Sequence, residues 1–254
     1  MMNKQEIAKK LDGAAVAAQP VEQISLSVKF SEEEAYDIQR LSMEERYSRG
    51  DNFVGLKLGF TSYAKMEQMG VHDMIWGRLT KNMWLTNGSQ TSLSRFIHPR
   101  AEPEIAFLLK KDIDREIGLE EIPEYIESTC AAIEIIDSRY KNFKFSLEDV
   151  IADNCSSSAF VLGEWQALPK SLNDLKMSLM FNDEVKQQDS SNAILDNPLL
   201  SICNASRLAA KYNQTFPAGS VLLAGAATPA VFVEPGTTVR ATVEGMSEAS
   251  VTFE

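Results

Sequence analysis

The segment RAEPEIAF, residues 100–107, sets two carboxylates, Glu102 and Glu104, two positions apart in a run that otherwise has the composition of a buried strand. Side chains alternate across a strand, so Glu102, Glu104, Ala106 and Leu108 share one face, and Pro103, Ile105, Phe107 and Leu109 share the other. Like charges at that spacing repel, and burying either without a partner costs several kcal/mol, roughly. The fold must therefore bring positive charge to this face. In CAAIEIID a third acid, Glu134, occupies the same setting, with Ala132 and Ile136 on its face and Ile133, Ile135 and Asp137 opposite.

Two kinds of cation satisfy such a set. Three acids on neighbouring strands make a hard-oxygen cage suited to Mg2+ or Mn2+, with water or substrate completing the ligand shell. Zinc fits less well, because neither histidine nor cysteine clusters here. Alternatively each glutamate pairs separately with a basic side chain, for which Arg100, Arg139 and Lys57 are available. The formal net charge of -11 argues against nucleic-acid or anionic-membrane partners and in favour of small-molecule chemistry. No apolar run reaches the length of a membrane span. Three widely separated cysteines, Cys130, Cys155 and Cys203, give no disulfide framework or zinc knuckle, as expected of a reducing cytoplasm.

Along the chain, helical signals come first. A helix is expected over residues 3–18, and a second begins at the Ser31–Glu34 capping box and stops at Gly50. In NFVGLKLGF, Val54, Leu56, Leu58 and Phe60 alternate with Gly55, Lys57 and Gly59, a strand whose second face presents one lysine between two glycines, open to close approach by a ligand. Ser62 opens a short helix that ends at Gly70. Beyond DMIWGRL the pattern turns to short strands: PEIAFLLK, CAAIEIID, SAFVLGE, KMSLMFN, SVLLAGAA, TTVRATVEG and ASVTFE. One further helix is expected in PLLSICNASRLAAKYNQ, with Pro198 at its first position. The fold class is α+β: an N-terminal helical region with the lysine strand, residues 1–75, then a β-rich domain, residues 76–254.

VGLKLGFTSYAKMEQMGV, HPRAEPEIAFLL, IEIIDSRYKNFKF and VIADNCSSS, in that order and spacing, resemble the fumarylacetoacetate-hydrolase-like superfamily, and within it the branch of 2-keto-4-pentenoate hydratases and 4-oxalocrotonate decarboxylases. The resemblance implies a β-rich domain of mixed, strongly curved sheets. It also implies that Glu102, Glu104 and Glu134 hold the divalent metal and that Lys57 is the catalytic lysine. Ser156 and Thr228 match hydroxyl residues that approach the substrate. Asp137 and Arg139 are expected to pair, with Arg139 also a candidate for the substrate's distal carboxylate, while His72 and His98 have the setting of loop residues. DNP at 196–198 and Ser247 depart from the family pattern.

One position bears on the reaction. The hydratases of this branch resemble a Pro-Asp-aromatic-Gly pattern whose acid assists water addition, and here Ile75 stands in its place. An isoleucine moves no proton, and a dry wall suits loss of carbon dioxide better than attack by water. The resemblance thus implies decarboxylation of 2-oxo-3-hexenedioate in the meta-cleavage catabolism of aromatic compounds, with hydration of 2-hydroxypenta-2,4-dienoate as the alternative. It further implies a homo-oligomer and association with a partner hydratase.

Overall fold

The computed structural model describes residues 2–63, 66–67 and 70–254. The short helix expected over 62–70 lies partly outside the described residues. Helices α1 (Lys4–Ala17) and α2 (Glu32–Ser48) each open on a capping box, Asn3 with Glu6 and Ser31 with Glu34, which satisfies backbone donors that the first turn leaves over. Buried Asp12 of α1 ties the two together by accepting from Arg49 at 2.7 Å.

An eight-stranded sheet forms the centre. Its strands are β1 (Phe53–Gly59), β2 (Ile75–Thr80), β3 (Trp84–Leu85), β5 (Arg100–Leu109), β6 (Ile126–Ile136), β7 (Ser157–Leu162), β10 (Val221–Leu223) and β11 (Val231–Phe232). The order is β2-β1-β10-β5-β6-β7-β3, with β11 paired to the start of β5. A second sheet, β4-β13-β12-β8-β9, contains β4 (Ser89–Thr91), β8 (Lys176–Phe181), β9 (Glu184–Ser190), β12 (Thr237–Val243) and β13 (Ala249–Phe253). Ala101, Ile133 and Ile135 from the large sheet cluster with Leu179, Val239, Ala241 and Val251 from the small one. That core uses the face of β5 and β6 opposite the glutamates, so alternation itself separates the hydrophobic layer from the charged one.

Every strand expected from SAFVLGE, KMSLMFN, SVLLAGAA, TTVRATVEG and ASVTFE is present, as are those carrying the acids. The late helix, α4, runs Leu200–Lys211, after the shorter α3 (Leu147–Ala152). It begins two residues after Pro198, which belongs to the preceding turn and not to the first helical position. Strand β9, EVKQQDS, was not expected: it is a mostly exposed edge strand, so no apolar residues alternate along it. Among the described residues no helix is long and apolar enough to cross a membrane.

Candidate metal centre and active site

Strands β5 and β6 run antiparallel in a register that sets Glu102 directly opposite Glu134 and Glu104 opposite Ala132. Like charges facing each other across a ladder destabilise it, and Glu104 and Glu134 are fully buried besides. One carboxylate oxygen from each of Glu102, Glu104 and Glu134 lies within 4.8 Å of the others. An octahedral Mg2+ holds oxygens at about 2.1 Å, so that opposite ligands are about 4.2 Å apart, comparable with the separations found here.

The remaining oxygens show how the acids are held. Glu104 Oε2 accepts the Gly225 N–H at 2.7 Å, and Glu134 Oε2 accepts the Lys57 ammonium at 3.1 Å. In each case the second oxygen, Glu104 Oε1 and Glu134 Oε1, is buried without a hydrogen-bond partner among the described residues. Leaving such atoms unmet is expensive, and a shared cation meets both at once. Burial, reinforced by Glu134 and Glu102, pushes the Glu104 carboxyl well above the usual carboxylate range. Burial alone would lower the Lys57 pKa, but Glu134, with Glu102 and Glu104, outweighs it and holds the ammonium charged. The Lys57 ammonium pairs with Glu134 Oε2 and so leaves Oε1 of Glu104 and Oε1 of Glu134 to a further cation. The donor set is all oxygen, as Mg2+ and Mn2+ prefer.

Backbone geometry positions these groups. β10 ends at Leu223, and residues 224–228 then run alongside β5, with Ala224 N donating to Ile105 O and Ala227 N to Pro103 O. Gly225 turns in this stretch with φ +106, and a Cβ there would overlap Thr61, so only glycine can present its N–H to Glu104. The glycines flanking Lys57 do not both leave room for a ligand. A Cβ at Gly55 would meet the Val221 backbone of β10, so that space is filled by the sheet; Gly59 lies against Ile75 and borders the cavity.

The cavity, about 180 Å3, opens beside Lys57 and Glu102 and is walled by Leu58, Ile75, Ile136, Phe143, Phe145 and Val150. Ile75 is one of these wall residues. Ser156 also lines the cavity, its buried Oγ without a partner among the described residues. It is placed by Asn154, Cys155 and Ser156 in three successive left-handed conformations (φ +50, +52 and +57), an arrangement fixed from both sides. The Asn154 carboxamide pairs with the Arg78 backbone at 2.7 and 2.9 Å, and the Cys155 thiol donates to Trp76 O. Gln39 of α2 also donates to Trp76 O and to Ile151 O. Burial pushes the Cys155 thiol up to about 12, so it is no nucleophile.

Two expectations change. The Arg139 guanidinium is buried, four of its five N–H donors are spent on Asp153 and on the backbone carbonyls of Asp137, Asp153 and Ser157, and it lies outside the residues that line the cavity, so it is not placed to take a substrate carboxylate. Nor does it pair with the Asp137 side chain, which instead accepts the N–H groups of Ile97 and His98 at 2.8 Å. Both interactions brace the segment that follows β6, a structural role. Thr228 is buried in the loop after β10 but outside the residues that line the cavity, and its hydroxyl donates to Pro229 O at 3.3 Å. The separate-pairing alternative also fails for the two arginines: Arg139 is spent on Asp153, and Arg100 stacks on Phe143. The sequence reading missed Phe143, Phe145, Val150 and Gly225, of which only the glycine in AGAA carried a local signal. A larger groove of about 520 Å3, bounded by Tyr36, Trp76 and Tyr212, lies beyond β2 and contains none of the three acids.

Comparisons with known proteins agree with this geometry. Residues 68–254 match the family described as fumarylacetoacetate (FAA) hydrolase C-terminal. The chain is 45% identical over 249 residues to a 4-oxalocrotonate decarboxylase of a Pseudomonas species, covering 98% of this chain and 97% of that one. It is 33% identical over 224 residues to a 2-keto-4-pentenoate hydratase of Burkholderia vietnamiensis, covering 86% and 85%. Among solved structures, 4-oxalocrotonate decarboxylase from Pseudomonas putida G7, complexed with magnesium and adipate, superposes with a TM-score of 0.95 at 31% identity, covering 100% and 99%. The chain belongs to the fumarylacetoacetate hydrolase family, in its hydratase and decarboxylase branch, and is closely related to the 4-oxalocrotonate decarboxylases.

Proposed function

We propose that this protein is a divalent-metal-dependent decarboxylase that converts 2-oxo-3-hexenedioate to 2-hydroxypenta-2,4-dienoate and carbon dioxide. The observation that carries the reading is the meeting of Glu102, Glu104 and Glu134, with two carboxylate oxygens unspent, where Glu102 borders a cavity walled in part by Ile75. A bound Mg2+ or Mn2+ would supply Lewis-acid stabilisation of the charge that collects on the 2-keto oxygen. Lys57, held charged and buried, donates a hydrogen bond to the keto-acid end and offers a proton to that oxygen as electrons arrive. The bond to the far carboxylate breaks, its electron pair passes through the conjugated alkene to the keto oxygen, and carbon dioxide leaves. Ser156 Oγ binds the substrate beside Lys57. Thr228 supports the loop that presents Gly225 to Glu104.

Ile75, Phe145 and Val150 keep water from the reacting carbon chain. Hydration would need an acid at that end. Among the described residues lining the cavity the one carboxylate is Glu102, and nearby Asp73 is committed to Arg207 at 2.5 Å. The test is direct: purified protein with Mg2+ should release carbon dioxide from 2-oxo-3-hexenedioate, and chelator should stop it. Hydration of 2-hydroxypenta-2,4-dienoate without carbon dioxide release would overturn the assignment. The proposal extends to a reducing cytoplasm, consistent with three free cysteines, and to a homo-oligomer that hands its dienol product to a partner hydratase. Sizing the protein alone and mixed with such a hydratase tests the assembly.

A further inference from the structure

We propose that Arg100 docks the far carboxylate of the substrate, so that this side chain selects diacids over monoacids; the inference rests on the decarboxylase reading. Arg100, Glu102 and Glu104 alternate onto one face of β5, and the residue opposite Arg100 on β6 is Ile136, which lines the cavity. Two residues of strand separate Arg100 from Glu102, roughly 6–7 Å, comparable with the span of an extended six-carbon diacid. A six-carbon diacid whose keto-acid end is held at the glutamates is therefore long enough to reach Arg100, which stands just outside the residues lining the cavity and against two of them, Ile136 and Phe143.

The guanidinium carbon lies 4.3 Å from the ring centroid of Phe143, a cavity-wall residue that adopts φ +58, a conformation bulky side chains rarely take. Stacking occupies the flat face of the guanidinium and leaves its N–H edge free. Among the described residues Arg100 makes no ion pair or side-chain hydrogen bond, although it is half-buried. An unspent fork beside an apolar cavity is the geometry that takes a carboxylate through two parallel hydrogen bonds. Lys57 serves the keto-acid end beside Glu134, Arg139 is paired with Asp153, and Lys144, between the two wall phenylalanines, is exposed.

The chemistry fixes how the effect must appear. The docked carboxylate is the one that departs as neutral carbon dioxide, and its charge migrates to the keto oxygen as the bond breaks. A guanidinium on it thus stabilises the bound substrate more than the transition state, so its loss raises KM without lowering kcat. Arg100→Met keeps the stem that packs on Phe143, and Arg100→Lys keeps the charge without the fork.

Calorimetry on the Mg2+-loaded protein should show adipate affinity falling roughly ten- to hundredfold in Arg100→Met and less in Arg100→Lys, while oxalate, which reaches only the metal end, binds as before. In turnover, KM for 2-oxo-3-hexenedioate should rise by a similar factor and kcat should not fall. Unchanged adipate binding, equal weakening of adipate and oxalate, or a loss of adipate in Lys144→Met instead, would each overturn the assignment. If Arg100→Met does not fold, Arg100→Lys must still lose adipate selectively. Wild-type protein that binds adipate through Arg100 yet releases no carbon dioxide would sink the decarboxylase reading and leave the docking role standing.

Discussion

Glu104→Gln is expected to stabilise the metal-free protein and abolish its response to magnesium, two effects of opposite sign from one isosteric change. Burial and the neighbouring Glu134 and Glu102 hold the Glu104 carboxyl well above its usual 4.5. For an acid whose folded pKa is raised, the folded protein binds the proton more tightly than the unfolded chain. Below about pH 4.5 both states are protonated and there is no penalty. As pH rises above that value, stability falls by about 1.4 kcal/mol per unit until the folded group ionises. Glutamine carries no such penalty, so in EDTA the variant should melt above wild type at about pH 8, with the difference closing toward pH 4.5.

Magnesium should reverse the ranking. At a free concentration of 100 times Kd, a ligand that binds only the folded state contributes about 2.7 kcal/mol. For 254 residues, an unfolding entropy of about 2.1 cal/mol/K per residue gives about 0.5 kcal/mol/K, so wild type should gain about 5 °C in Tm. The variant should gain almost nothing and should lose metal-dependent turnover. Thermal melts at several pH values, with EDTA or with saturating magnesium, read both effects. A variant that keeps the magnesium shift, or that melts below wild type in EDTA at pH 8, would refute the reasoning.

Glu134→Gln should behave oppositely in EDTA, because it strips the buried Lys57 ammonium of its 3.1 Å partner; a cost of about 3–5 kcal/mol would lower Tm by about 6–10 °C by the same conversion. Ile75→Asp places a carboxylate on the dry wall, and a product assay should show decarboxylation reduced and hydration of the dienol gained; an unchanged product profile would mean this position does not set the reaction. Gly225→Ala forces a side chain into Thr61 at φ +106, and a melt in EDTA together with a magnesium titration should show both stability and metal affinity reduced. Arg139→Met leaves the Asp153 carboxylate buried and unpaired, which should cost about 3–5 kcal/mol in denaturant unfolding and leave the adipate-to-oxalate affinity ratio of the surviving folded protein unchanged.

The metal centre was legible because a carboxylate in a buried strand breaks the local hydrophobic pattern, and strand alternation then dictates which side chains share its face. Glu102 and Glu104 are two residues apart, so one strand sufficed; joining Glu134 to them required the register of β5 on β6, which the resemblance anticipated and the pairing of Glu102 with Glu134 supplies. The capping box at Ser31 was equally local, since a cap needs only four consecutive residues. Edge strand β9 left no such mark, because its exposed side chains have nothing to bury.

The arginines show where local reading stops. Arg100 and Arg139 look alike in sequence, each a lone guanidinium beside an acid-bearing strand, and the choice between them depends on groups far along the chain. Arg139 finds Asp153 and three carbonyls from the segment folded under β6, which use four of its five donors. Arg100 finds only an aromatic face, which occupies its plane and leaves its edge. A guanidinium has donors in a fixed geometry, so the number already spent decides whether it is scaffold or recognition element. That count is a property of tertiary structure: the same residue type, a short distance along the chain, braces the metal strand in one case and faces the substrate in the other.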